Sequence, residues 1–352
     1  MMPTMRTILP ALALFGASAT GAPAAGFPWP TYADRPAAWY RGEEAFRLAE
    51  NILSHQTDQG DWPKNLDTSS EPYRGDRTRL RGTFDNGATV GEMRFLARAF
   101  VMTGREPYGK AFIRALDHLL SAQYPCGGWP QSDPPGKGYA RYITFNDNTM
   151  VNLLELVRDL AECDDFSFVD RARRDAANHA FAAGIDCILR CQVRVNGELT
   201  AWCAQHDPIT FQPKGARTFE LPSISGGESE GILLLLMSLD DPSPEVVQAI
   251  CSGVRWYERS RVTGIRQVVV NGDKKIVHDP IAPPLWARFY EIESNRPFFC
   301  GRDGVKKYEL DRIEFERRNG YAWYGDWGRR VLDRFAIWDK NHAAHRRETG
   351  KR

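Results

Sequence analysis

The sequence has no excess of charge of either sign. Its 352 residues carry 46 Lys plus Arg against 45 Asp plus Glu, a formal net charge of +1. A uniformly basic surface for nucleic acid is thereby excluded. Long apolar runs are also missing. Ile232 to Met237 is far too short to cross a bilayer, so no membrane partner is expected. Seven cysteines are present without a Cys-x-x-Cys pair, which leaves a zinc ribbon unsupported. The odd count leaves at least one thiol unpaired within a single chain, and no disulfide is assigned. There is no Gly-x-Ser-x-Gly elbow, no His-Glu-x-x-His and no glycine-rich nucleotide loop. The seven histidines are scattered and read as packed or surface residues, with His206-Asp207 the one pair to watch.

What is present fits an ordinary globular chain, with 42% hydrophobic and 26% charged residues. Ten Trp and twelve Tyr are generous, and composition does not say whether they serve the core or a ligand. Residues 1–25 follow the order of a secretory signal peptide: Arg6, the apolar stretch Ile8 to Phe15, then small residues ending at Ala22-Pro23-Ala24-Ala25. Cleavage is expected near Ala24 or Ala25, and with it a secreted or periplasmic location.

Internal repetition carries the architecture. Ala45, Leu48, Ala49, Ile52 and Leu53 have the spacing of one helix face and run into Gln56 and Gly60-Asp61-Trp62-Pro63. Phe112, Ala115, Leu116, Leu119 and Leu120 do the same before Gln123 and Gly127-Gly128-Trp129-Pro130. Phe181, Ile185, Ile188 and Leu189 lead to Gln192 and, after a longer loop, Trp202. The glutamines stand 67 and 69 positions apart. A second helix follows each loop: Val90, Met93, Ala97 and Phe100; then Met150, Leu153, Leu154, Val157 and Ala161; then the apolar Gly231 to Leu239. The unit is helix, Gly/Trp/Pro loop, helix. The expected fold is all-α, a toroid of repeated helical hairpins, with a β-hairpin excursion at Ile265 to His278 turning on Asn271-Gly272. The expected domains are a lead-in over 26–44, one toroid over 45–330 and a tail over 331–352. The Gln-x-x-x-Gly-x-Trp pattern also occurs in terpene cyclases, where it braces helices, and it is read as a brace here.

The starts of the second helices align. Thr83-Phe84-Asp85-Asn86 and Thr144-Phe145-Asn146-Asp147-Asn148 occupy one place in two repeats, and Ser223-Ile224-Ser225-Gly226 occupies it in the third. Each cluster taken alone reads as a helix N-cap. In a toroid, however, these starts converge, and two caps become two acids on one cleft, able to hold a hard cation. The helix dipole opposes a cation there, so the site is weak until an anionic substrate adds charge. Glu228 and Glu230 read as first-turn charges. The C-terminal third embeds Arg288, Arg296 and Arg302 in Gly-, Pro- and aromatic-rich loops, suited equally to carboxylate contact and to local ion pairs.

Together, Gly60-Asp61-Trp62-Pro63-Lys64-Asn65, Thr83-Phe84-Asp85-Asn86-Gly87-Ala88-Thr89, Phe145-Asn146-Asp147, Cys300-Gly301-Arg302-Asp303-Gly304 and Gly320-Tyr321-Ala322-Trp323-Tyr324-Gly325 resemble the pectate lyases of polysaccharide lyase family 10. The resemblance runs in order from Ala45 to Trp327. It implies an (α/α)3 toroid and calcium-assisted β-elimination of polygalacturonate by a monomer. Arg302 would be the catalytic base, and Asp85, Asn86 and Asp147 would bind calcium. Lys64, Arg217, Arg288 and Tyr321 would contact substrate. Cys300 departs from the small residue expected there, and Asp326-Trp327-Gly328 lacks an expected proline. Two other readings stay open: a glycoside hydrolase using Asp85 and Asp147 as acid and base, and a non-catalytic uronate-binding module.

Overall fold

A computed structural model describes residues 26–349. The expected signal peptide lies outside the described residues. Eight longer helices build the body: α1 (Glu43–Ser54), α2 (Val90–Thr103), α3 (Glu106–Ser121), α4 (Thr149–Glu162), α5 (Arg171–Cys191), α6 (Glu228–Leu236), α7 (Pro244–Arg259) and α8 (Trp327–Thr349). Helices α2–α3, α4–α5 and α6–α7 are hairpins. Helices α2, α4 and α6 touch in succession as an inner layer, and α1, α3, α5 and α7 touch in succession as an outer one. This is the expected helical toroid, although its helices do not close into a barrel.

The repeat motif is a brace, and the structure shows how it works. Each glutamine side chain donates twice: to a carbonyl in its own loop and to one in the next outer helix. Gln56 reaches Gly60 and Ala111 (2.8 and 2.9 Å), Gln123 reaches Gly127 and Ala180 (both 2.8 Å), and Gln192 reaches Thr200 and Ala249 (2.9 and 3.0 Å). Each tryptophan donates its indole N–H back to its own outer helix: Trp62 to Ile52, Trp129 to Leu119 and Trp202 to Ile188. Glycine is required at Gly60 and Gly127, where φ is +116° and +88° and a Cβ would lie 2.8 and 2.0 Å from the Arg114 and Ala183 carbonyls.

A fourth repeat escapes the sequence pattern. Trp286 donates to the Tyr257 carbonyl of α7 in the same manner. The hairpin of β1 (Ile265–Val270) and β2 (Asp273–His278), turning on Asn271 and Gly272 as expected, separates the two by 29 positions. The inner helix of this repeat is α8, which packs on α6 and α7 and buries Val331 and Trp338. The core therefore continues past the boundary expected at residue 330. The lead-in also belongs to the body: Phe27, Tyr32 and Trp39 stack in series, and Tyr32 and Trp39 meet Phe95 of α2 edge-on.

Glu92, in the first turn of α2, is fully buried. Thr68 donates to one carboxylate oxygen at 2.9 Å, while the other has no partner. Burial pushes its pKa up to about 7, against the hydrogen bonds that favour the charge. Between about pH 4.5 and 7 the folded chain thus holds a proton that the unfolded chain has lost, so stability falls as pH rises through that window. Glu92→Gln is expected to raise stability at pH 8.5, by up to about 3 kcal/mol, and much less at pH 5. Thermal unfolding at the two pH values checks this; an equal shift at both would contradict it.

Candidate active site

The loops entering the inner helices meet at one end of the toroid. The turn Asp85–Gly87 packs on Asn146–Asn148, which packs in turn on α6. The N-cap expectation fails here, because neither α2 nor α4 has a side-chain cap. Instead Asn86, Thr89, Asp147 and Asn148 all hold positive φ, between 51° and 71°. For Thr89 that conformation is strained. It is held by the Trp62 N–H donating to its hydroxyl and by that hydroxyl donating to the Thr83 carbonyl, both at 2.9 Å. These turns free the acids from capping and aim them elsewhere.

Asp85 is 2% exposed and takes hydrogen bonds from the Lys64 ammonium, the Gln131 amide and, at 3.4 Å, the Thr149 hydroxyl. Asp147 is half-exposed and accepts from Asn146 at 2.7 Å. Burial raises its carboxyl above the usual range; Arg288 opposes this, while Glu228 and Asp85 add to it. Arg288 is the hinge of the site. It pairs with Glu228, stands 3.5 Å from Asp147 Oδ1, and lies 4.7 Å over the Tyr321 ring. Burial works against its charge, but Glu228, Tyr321 and Asp147 outweigh that and hold the guanidinium firmly protonated. Its Nε is buried without a hydrogen-bond partner.

Beyond Tyr321 the network continues. The Tyr321 hydroxyl donates to Glu220 at 2.8 Å, and Arg217 grips the same carboxylate with two donors at 2.8 and 2.5 Å. That contact holds the Arg217 pKa above its ordinary value. The Arg217 guanidinium is 4.8 Å from the Phe219 ring and 5.9 Å from that of Tyr321. Arg302 sits one step further out. Its partners are Glu314 and Glu316, with the Phe219 ring at 5.7 Å, and its side chain is 63% exposed. Asn86 is exposed and donates its amide to Asn65.

The structure thus links Lys64, Asp85, Asp147, Arg288, Tyr321 and Arg217 in one network, with Thr149 and Asn146 bridging the two aspartates and Glu220 bridging Tyr321 to Arg217, and places Arg302 at its rim. Sequence reasoning missed three members. Glu228 read as a first-turn charge, yet it accepts from Ser225, which occupies this place in the third repeat, and pairs with Arg288. Glu220 and Gln131 carried no signal of their own. His206 is a packed residue, as the histidines were expected to be: it accepts from the Cys203 N–H, contacts the Phe211 carbonyl, and is pushed down to about 4 by burial. All seven cysteines are free thiols.

Asp85 and Asp147 offer hard oxygen donors on adjoining loops, which suits calcium. Among the described residues no three His, Cys, Asp or Glu side chains group as a metal site. Lys64 and Arg288 already offset part of the negative charge. The donor set therefore fits a calcium ion whose remaining ligands come from substrate carboxylates and water, and does not fit a tightly held resident ion.

Residues 56–332 match the family described as pectic acid lyase. A family 10 polysaccharide lyase from Cellvibrio cellulosa is 36% identical, with a TM-score of 0.75, across 85% of this chain and 94% of that one. A mutant of a family 10 polysaccharide lyase from the same organism, solved in complex with trigalacturonic acid, matches at 36% identity and a TM-score of 0.75, across 85% and 95% of the two chains. No curated protein matches. A match at this identity over 85% of the chain, together with the acid and arginine network at the inner-helix starts, settles the family: the protein belongs to the pectic acid lyases of polysaccharide lyase family 10.

Proposed function

We propose that the protein cleaves (1→4)-linked polygalacturonate by calcium-assisted β-elimination. The observation that carries this reading is Arg288, buried between Asp147, Glu228 and Tyr321 with its Nε lacking a hydrogen-bond partner. Membership of a lyase family leaves no role for the hydrolase and non-catalytic alternatives.

The chemistry asks for removal of the C5 proton, which is barely acidic while the neighbouring carboxylate keeps its full charge. As that proton leaves, its electron pair forms the C4–C5 double bond, the C4–O bond breaks, and the departing oxygen takes a proton from water or from the protonated base to leave as a hydroxyl. Calcium shared between Asp85, Asp147 and the substrate would neutralise the carboxylate and stabilise negative charge developing on it. Asn86 would add an amide oxygen. Arg288 would bring a second positive charge to the same group, its guanidinium held by the Tyr321 ring beneath. Lys64 beside Asp85 supplies a further cation.

Two arginines compete for the base role. The resemblance gives it to Arg302. Position favours Arg217, which shares the Tyr321 ring with Arg288, whereas Arg302 touches neither. A base must come within hydrogen-bond reach of the proton it removes. A free guanidinium with a pKa above about 12 is a reluctant base, so activity is expected to rise into the alkaline range. The assignment of the reaction is tested by adding polygalacturonate and calcium to the purified protein and following ultraviolet absorbance of the unsaturated product. Absence of that signal from neutral to alkaline pH would overturn it. Export of the mature chain, expected from residues 1–25, is part of the same proposal and is checked by N-terminal sequencing of secreted protein.

A further inference from the structure

The loop between Trp62 and Thr83 carries a feature that the reaction does not use. Its tip holds Arg74, Arg77, Arg79 and Arg81, all exposed. Among the described residues none of the four lies within ion-pair distance of a carboxylate, although most charged partners near the cleft are matched. Arg77 and Arg81 bond only to backbone carbonyls, of Gln56 and of Thr78 and Leu80. Among the described residues the side chains of Arg74 and Arg79 have no partner. The acid within the tip, Asp76, is turned onto the amide and hydroxyl of Thr78 and so closes its own turn.

The base of this loop is anchored rather than loose. Asn51 donates to the Ser69 carbonyl at 2.8 Å, the Tyr73 N–H donates to Ser54 at 2.7 Å, and Thr68 reaches buried Glu92. Both ends of the loop arrive at Asp85: Lys64 pairs with it, and Arg81 precedes it by four residues. The arginine tip therefore belongs to the loop of the first repeat, which joins Lys64 to Asp85, whereas Arg302 belongs to the fourth repeat.

We infer that Arg74, Arg77, Arg79 and Arg81 form a basic arm that binds the uncleaved galacturonate units of a long polymer beyond the reacting sugars, and so set a preference for polymer over short oligomer. A polyanion with one carboxylate per residue matches guanidinium groups that are free of carboxylate partners and carried on a loop whose base is anchored before binding. The ligand named here rests on the pectate lyase reading.

The test uses the full mature chain and Arg74→Ala/Arg79→Ala, the two arginines without structural partners. At low salt, kcat/KM on long polygalacturonate is expected to fall about five- to tenfold, and on the shortest cleavable oligogalacturonate by less than about twofold. The polymer-specific difference is expected to shrink as salt rises. Equal values for variant and parent on both substrates, or an equal loss on both, would overturn the arm. Retardation in gels containing polygalacturonate separates this proposal from the catalytic one. If the parent cleaves neither substrate the lyase reading fails, and the arm then stands or falls on whether the variant migrates faster than the parent through the polyanion.

Discussion

Arg217→Ala is expected to lower kcat on polygalacturonate by about 10³-fold or more, while Arg302→Ala is expected to act mainly on KM, by about tenfold. The difference follows from their partners. Arg217 shares the Tyr321 ring with Arg288; Arg302 is exposed and held by Glu316 at 3.1 Å. Loss of Arg217 also strands buried Glu220, so a fall in activity alone would be ambiguous. Glu220→Gln resolves this. Glu220 is the main cause of the raised Arg217 pKa, so its removal lowers that pKa and increases the neutral fraction at any given pH. If Arg217 is the base, the alkaline rise of the pH–kcat profile moves to lower pH in this variant. A profile that keeps its position, with kcat lost instead in Arg302→Ala, would return the role to Arg302.

The second large effect concerns the two acids. Asp85→Asn and Asp147→Asn are each expected to reduce kcat/KM by about 10²- to 10³-fold. Each should also raise the calcium concentration needed for half-maximal rate by about tenfold or more. Asp147→Asn is the cleaner variant, because Arg288 keeps Glu228 as a partner and the side chain is half-exposed. Asp85→Asn removes the charge that faces Lys64 in a buried place, so its folded state must be confirmed by thermal unfolding. Calcium titration of the initial rate provides the measurement. An unchanged calcium requirement in both variants would remove these residues from the metal-binding role.

Much of this was legible because the repeat is local. Gln56 to Trp62 and Gln123 to Trp129 fall within one loop, so composition and spacing expose them. The fourth repeat was hidden by the hairpin Ile265–His278, which carries Trp286 far from Tyr257 in sequence while a hydrogen bond still joins them. The N-cap expectation failed for a conformational reason: positive φ at Asn86, Thr89, Asp147 and Asn148 turns the acids away from the helix ends, and Asn and Asp suit that conformation as well as they suit a cap, so residue type alone does not separate the two. Glu228 was misread because a glutamate in a first turn ordinarily needs no further explanation. Its partner Arg288 stands 60 positions away. Arg302 was placed by its motif, and only the contacts show that it sits at the rim.

The central claim is that this chain joins Asp85, Asp147 and Arg288 into a site for calcium-assisted elimination on a uronate polymer. The most direct measurement is the initial rate of unsaturated-product absorbance on polygalacturonate, read with calcium, with a chelator, and again after calcium is restored. The expected result is a rate that is high with calcium, lost on chelation and recovered on its return, with Arg288→Ala lower by about 10²-fold or more throughout. Reducing sugar released without that absorbance, or a rate indifferent to the chelator, would contradict the account.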